Sequence, residues 1–473
     1  MRHWGSQWAH CAFVETMGTP RQRHIKAMRN SQRDQRELNN MGRRIACVLV
    51  VFAQLTGSAL CATFRASEVS VDITPSTPQW LLGYGARQSD GIANRIYHRI
   101  VAVDDGTTTI YLVSSDLCLY SPAYYDKVAQ DVQQQLGIPP QSLWWTVTHT
   151  HSAPEVGPPG VGVIFMPERF KQATAGESNP EYTKFVEAKL IEGLALARQK
   201  LQPARLGIGL GFSMANINRR GIDVDGRVSL GLNPDGPADR QIGLMRLEDL
   251  HGGVIALIAN YPIHGTDLGP PNLKINGDVP GVVTQYVEEK IGAPVLFING
   301  AEGDLAPIYS VYPDPESGHL SEFRALLGNR ILQANEKILN FTTDVHLGES
   351  EEFVETPLRA GLIWPSDLGR YIHAVEGGTS LVRIPVRFLV LNKETVLWGA
   401  PIEMFCEIAM DVRSHSPFPN TFYFGLLNGW LGYLPTGQAV REKGYEPSTS
   451  PVTERGEEDV RQRVITYLNG LVR

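Results

Sequence analysis

Leu143-Trp144-Trp145-Thr146-Val147-Thr148-His149-Thr150-His151-Ser152-Ala153-Pro154 is a short apolar run that ends in two histidines. The run reads as a buried strand over Leu143 to Thr148, with the histidines just past its end. Polar residues in that position carry chemistry more often than those inside a strand, because a rigid scaffold presents its loops for function. Two histidines at i and i+2 on an extended chain point to one face. That spacing suits a metal ligand beside a catalytic group, and it also occurs in ordinary surface histidines.

Outward from this segment, helices and strands interleave. Ser121 to Leu136 has helical periodicity and stops at Gly137, a C-cap followed by Ile138-Pro139-Pro140. Ile96 to Asp104 and Thr108 to Ser115 pair as a hairpin across Asp105-Gly106. Val69 to Pro75 alternates like a strand. Residues 152–180 read as a long loop, and Glu181 to Gln202 as a helix. Ala204 to Met214, Val254 to Tyr261 and Val295 to Ile298 read as strands, Asp278 to Lys290 as a helix. Glu322 to Leu339 is expected to be a helix capped by Ser321. From Thr343 to Leu397 the period falls to two, which predicts antiparallel strands. Met404 to Ser414 reads as a helix, Thr421 to Leu427 as a strand, and Glu457 to Leu471 as a last helix. The expectation is an α/β fold: one large catalytic domain over residues 63–473, with mixed β-sheets flanked by helices.

Residues 1–40 are polar and lack hydrophobic periodicity. Met41-Gly42-Arg43-Arg44, the apolar run Ile45 to Leu55 and the small residues through Ala62 form the three parts of a secretory signal peptide. The reading is therefore an over-extended N-terminus (1–40), a signal peptide (41–62) and an exported, periplasmic or secreted, remainder. An uncleaved membrane anchor is the alternative. Residues 1–62 hold nine Lys/Arg against three Asp/Glu, so the remainder carries −13 within a whole-chain net of −7. That acidity argues against nucleic acid as a partner. Only Cys118 and Cys406 remain beyond residue 62, too few for a disulfide framework.

Three further segments interrupt the apolar pattern with polar groups. Asn260-Tyr261-Pro262-Ile263-His264-Gly265-Thr266 leads into Asn276-Gly277-Asp278, where Asp278 also suits a helix N-cap. Phe297-Ile298-Asn299-Gly300-Ala301-Glu302-Gly303-Asp304 runs from a buried strand into a Gly-rich acidic turn, the kind that lines pockets at strand carboxyl ends. Glu403 stands between a strand and a helix in apolar company, with Tyr433 and Tyr445 downstream. A carboxylate there also suits a helix dipole.

In this order, these segments resemble the neutral/alkaline ceramidase family in its catalytic N-terminal domain. The resemblance runs through Val71-Asp72-Ile73-Thr74-Pro75, Gly83-Tyr84-Gly85, Val113-Ser114-Ser115-Asp116, Thr148 to Ser152, Ile217-Asn218-Arg219, His264, Gly277-Asp278, Gly303-Asp304, Pro401-Ile402-Glu403 and Gly425 to Tyr445. It implies a Zn2+ ion held by His149, His264, Glu403 and Tyr433. It further implies that His151, Arg219 and Tyr445 handle the proton and hold the carbonyl oxygen. Asp116, Asp278 and Asp304 are expected to orient the ligands from behind.

Two departures from the family bear on mechanism. Aligned on Gly303-Asp304, the family's serine falls on Gly300, which points to attack by zinc-bound water instead of a serine. The family's additional C-terminal β-sandwich is also expected to be missing. The predicted function is an exported zinc-dependent amidohydrolase acting on a ceramide-like lipid or related small-molecule amide, with peripheral membrane contact for lipid access. The alternatives are a zinc hydrolase of an ester or peptide and a non-catalytic secreted binding protein on the same scaffold.

Overall fold

The computed structural model describes residues 64–166, 179–311, 319–375, 378 and 380–472. The expected signal peptide and the residues before it lie outside these, as do residues 167–178 of the expected loop at 152–180. No helix among the described residues is long and apolar enough to cross a membrane.

Alternation along the strands decides the layering. In Tyr97–Asp104, Ile100 and Ala102 join one apolar cluster while Val101 and Val103 join another. Thr109–Ser115 repeats this, with Tyr111 and Val113 on one face and Ile110 and Leu112 on the other. Both faces are therefore covered. The main sheet runs in the order Val295–Asn299, Val254–Tyr261, Gln241–Asp249, Gln202–Phe212, Arg65–Asp72, Tyr97–Asp104, Thr109–Ser115, Leu143–Val147. It is antiparallel except at its two ends, where Val254–Tyr261 pairs parallel with Val295–Asn299 and Thr109–Ser115 with Leu143–Val147.

A second sheet of Gly348–Pro357, Ser380–Asn392, Thr395–Gly399 and Asn420–Phe424 packs face to face on the first. Trp144 and Phe424 meet edge to face across the seam at 6.2 Å, a contact of about 0.5–1.5 kcal/mol beyond area burial. Helices Pro122–Leu136, Pro180–Gln199 and Asp278–Ile291 cover the outer face of the first sheet. Cys406–His415 and Gly456–Gly470 cover the second. The result is an α/β fold of four layers, with mixed sheets flanked by helices.

Ser121 and Gly137 bound the Pro122–Leu136 helix as expected. The Ser121 hydroxyl accepts from Ala123 N, and Gly137 is left-handed at φ 66°. The Glu322 to Leu339 segment differs from expectation. It is a 3-10 turn at Leu320–Glu322, a π turn at Arg324–Gly328 and an α-helix only over Asn329–Glu336, and Ser321 lies inside the first turn without capping anything. The wide turn sets Gly328 on the Tyr286 ring, where a Cβ would come within 2.6 Å. The period-two stretch after Thr343 gives antiparallel strands as read, but Thr395–Gly399 pairs parallel with Asn420–Phe424.

Candidate metal centre and active site

Three parallel strand pairs end on the same side of the molecule, and the site is built on the loops that follow them. His149 follows Leu143–Val147, His264 follows Val254–Tyr261, and Glu403 follows Thr395–Gly399. Pockets at strand carboxyl ends are the usual place for ligands in such folds.

The two histidine loops are zipped together. Thr150 bridges Gly265, His151 N donates to Gly265 O at 2.9 Å, and Gly265 N donates to His149 O at 3.2 Å. A Cβ on Gly265 would lie 2.7 Å from His149 O, so glycine is required there. His149 is itself left-handed, at φ 63°. The expectation that His149 and His151 share a face by strand alternation is therefore corrected. The strand has ended at Val147, and a backbone kink brings the rings together, with their Nε2 atoms 3.4 Å apart.

His149 and His264 are buried, and each anchors its Nδ1 on a backbone carbonyl: Cys118 O at 3.0 Å and Leu305 O at 2.8 Å. Each then presents Nε2 to one oxygen of buried Glu403, at 3.5 Å and 3.0 Å. The other Glu403 oxygen accepts from Trp430 Nε1 at 2.7 Å. Burial disfavours charge on all three, yet Glu403 lifts His149 well above 6.5 while His149 holds Glu403 well below 4.5. Burial and then Arg219 push His264 down to about 3.

This donor set fits zinc. The ligating atoms lie within 4.8 Å of one another, two imidazoles and a carboxylate are a common catalytic set, and the outer nitrogens are already fixed. A rival cluster of Cys118, His149 and His151 meets the same distance limit. It fits less well, because the Sγ lies 3.9 Å from a His149 Nδ1 that is already bonded to Cys118 O. Cys118 and Cys406 are both buried free thiols and do not pair.

Tyr433 comes to the centre through a two-residue parallel pairing of Glu403–Met404 with Tyr433–Leu434. Its hydroxyl accepts from Arg219 Nη2 at 3.2 Å. Arg219 also donates from Nε to Glu446 at 3.0 Å and from Nη2 to Gly303 O at 2.9 Å. Burial opposes its charge, but Tyr433, Glu446 and Glu403 outweigh that and keep it cationic. Tyr445 packs edge-on to Tyr433, with ring centroids 5.8 Å apart. His149, His151, Arg219, Glu403, Tyr433 and Tyr445 all line one cavity of about 630 Å³, whose remaining walls are mainly apolar, among them Leu82, Leu119, Val163 and Leu230.

None of the three aspartates expected behind the ligands touches a ligand side chain; each holds backbone nearby. Asp116 accepts from Arg99 Nη1 and Tyr97 N. Asp278 is not the helix N-cap, which is Gly277. It takes φ 50° and accepts from Asp267 N and Leu268 N in the turn after His264. Asp304 accepts from Cys406 N and Asn218 Nδ2. Gly300 is a further correction. It does not line the cavity, and a Cβ there would press on Pro262 at 3.0 Å, so packing accounts for the glycine. The residue of this turn that faces the cavity is Ala306, which has no hydroxyl.

Sequence reasoning missed four supporting residues. Asn299 ties both histidine loops, donating to Ile263 O at 2.8 Å and Thr148 O at 3.4 Å. Trp430 and Glu446 hold Glu403 and Arg219. Glu302 is fully buried, and neither carboxylate oxygen has a hydrogen-bond partner among the described residues. Only Glu302 and Asn299 carried a signal, as polar residues in the Gly-rich turn after a buried strand.

Residues 68–302 match the family model described as neutral/alkaline non-lysosomal ceramidase, N-terminal. That segment belongs to the neutral/alkaline ceramidase family. The match holds His149 and His264; Glu403 and Tyr433 lie beyond it. Neutral ceramidase A of Dictyostelium discoideum is 27% identical over 262 residues, 50% of this chain and 35% of that protein. Neutral ceramidase B of the same organism is 24% identical over 260 residues, 50% of this chain and 34% of its own length. The chain thus matches about a third of the length of these ceramidases. The crystal structure of neutral ceramidase from Pseudomonas aeruginosa superposes with a TM-score of 0.69 at 17% identity, over 86% of this chain and 74% of that one. A structure titled ceramidase complexed with C2 gives 0.66 at 17%, over 86% and 75%. At that identity the ceramidase likeness is one of fold.

Proposed function

We propose that this chain is an exported zinc-dependent hydrolase that cleaves the N-acyl amide bond of a ceramide-like lipid or a related amide. The observation that carries this reading is the convergence of His149, His264 and Glu403 beside a largely apolar cavity of about 630 Å³. That volume lies within the usual range for a small-molecule site. The ceramidase-family segment supports the reaction class, and the signal-like residues 41–62 support export.

Zinc, when bound, supplies a Lewis acid that polarises the scissile carbonyl and lowers the pKa of water. His149, His264, Glu403 and Tyr433 would hold it. His151 is kept neutral, because burial and then the neighbouring His149 and His264 push its pKa well below 6.5. It accepts a proton at Nε2, the nitrogen facing His149. Arg219 and Tyr445 hold the carbonyl oxygen as charge develops on it. Arg219 Nη1 has no partner among the described residues and is free to donate into the cavity. The apolar walls take the acyl chain and exclude water.

The test is metal analysis of residues 63–473 together with fatty-acid release from N-acyl-sphingosine, N-acyl amino acids and matched esters. Stoichiometric zinc with amide cleavage is expected. Full activity without bound metal, or cleavage of esters alone, would overturn the proposal.

A further inference from the structure

His151 lacks the device that usually orients a catalytic histidine. Such a ring is normally held by a hydrogen bond from its second nitrogen to a carboxylate or carbonyl. Here Nδ1 is buried and has no partner among the described residues. Something else must fix the ring, and the short hairpin Trp80–Leu81 with Arg87–Gln88 is packed against it.

The hairpin first docks on the chain that follows His151. Leu81 bridges Pro154, Leu82 N donates to Ala153 O at 3.1 Å, and Glu155 N donates to Trp80 O at 2.9 Å. Its turn then closes on the ring. Gly83 stands at φ 111°, and a Cβ there would lie 2.4 Å from His151 Cγ and 2.6 Å from Nδ1. The Gly83 backbone is thus the wall behind the imidazole, and glycine is required both by its φ and by the space. Tyr84 also packs edge-on to the His151 ring, with ring centroids 4.9 Å apart. Arg87 ties the assembly. Its Nη2 donates to His151 O at 2.7 Å, its Nη1 to Asn272 O at 2.6 Å, and its guanidinium lies over the Tyr84 ring at 4.8 Å.

We propose that Gly83, Tyr84 and Arg87 are positioning residues for His151, which fix the imidazole by steric packing and a pinned main chain in place of a hydrogen bond to Nδ1. The inference rests on the proton-transfer role given to His151 above. Arg87 does not line the cavity, so its effect on the reaction is indirect.

A double-mutant cycle tests this. Arg87→Met keeps an unbranched stem and removes the guanidinium, with its bonds to His151 O and Asn272 O and its place over Tyr84. It is expected to lower kcat at least tenfold, with KM within twofold and zinc content unchanged, since small misplacement of a catalytic group is costly. In a His151→Ala background the same substitution is expected to change kcat less than twofold. Arg87→Lys, which keeps one carbonyl bond, should recover part of the rate. Gly83→Ala serves as an independent second variant and should show the same loss of effect in the His151→Ala background. Equal losses in both backgrounds, a loss carried by KM, or wild-type kcat in Arg87→Met would overturn the positioning role. A full rate in His151→Ala alone would instead sink the role of His151, and this proposal with it.

Discussion

His264 Nε2 and Glu403 Oε2 stand 3.0 Å apart although 139 residues separate them in the chain. With the 3.5 Å approach of His149 Nε2 to the same oxygen, that contact gathers two imidazoles and a carboxylate into one buried cluster.

His149→Ala, His264→Ala and Glu403→Ala should each abolish zinc retention through gel filtration, measured by elemental analysis. His151→Ala should keep the metal and lose rate. A His151→Ala protein that lost its zinc would place that residue among the ligands.

Trp430→Phe removes the indole that donates to Glu403 at 2.7 Å. A hydrogen bond to a charged acceptor is worth about 1.5–3 kcal/mol, and loss of such an outer partner typically costs ~10–100-fold in metal affinity. Competition with a chelator should show a weakening in that range, and an unchanged affinity would remove Trp430 from the site.

Gly265→Ala drives a methyl into His149 O at a separation of 2.7 Å. Overpacking of this kind costs about 1–3 kcal/mol. The two histidine loops should part, so a lowered midpoint in urea should come with weaker zinc binding. A stability loss with full metal affinity would show that the loops stay zipped.

Glu302 gives a pH dependence with a definite sign. Burial is the main cause pushing its pKa up to about 8. The folded, metal-free protein keeps a proton there that the unfolded chain releases near pH 4.5. The stability linked to this proton is complete below the unfolded value. It drains away as pH rises toward 8, by up to about 1.4 kcal/mol per unit. Metal-free Glu302→Gln should therefore show a flatter fall in stability between about pH 5 and 8. Slopes equal to those of the unsubstituted protein would rule this out.

The layers of the fold were legible because hydrophobic periodicity is a local signal. Ile100, Val101, Ala102 and Val103 are an unbroken apolar run of the kind a strand covered on both faces needs, and Ser121 and Gly137 bound a helix by their own backbone and side-chain chemistry. The π turn at Arg324–Gly328 was not legible, since its reason is the Tyr286 ring lying against Gly328 from another helix. The site was legible in part: the histidines and Glu403 stand out as polar groups at the ends of apolar strands.

By itself, then, the sequence determined most strands of the main sheet though not Gln241–Asp249, the α/β class and the loops that carry polar groups, because each is written within one turn or one strand. Only the tertiary structure decided which of those groups meet. It set the His149 kink that turns two neighbouring histidines toward each other, and the backbone carbonyls of Cys118 and Leu305 that fix the ligand rings. It also put Ala306, not Gly300, on the cavity wall. The reason is physical. A backbone carbonyl is the same in every residue and leaves no mark in the sequence, and the direction a side chain takes past the end of a strand depends on partners more than a hundred residues away.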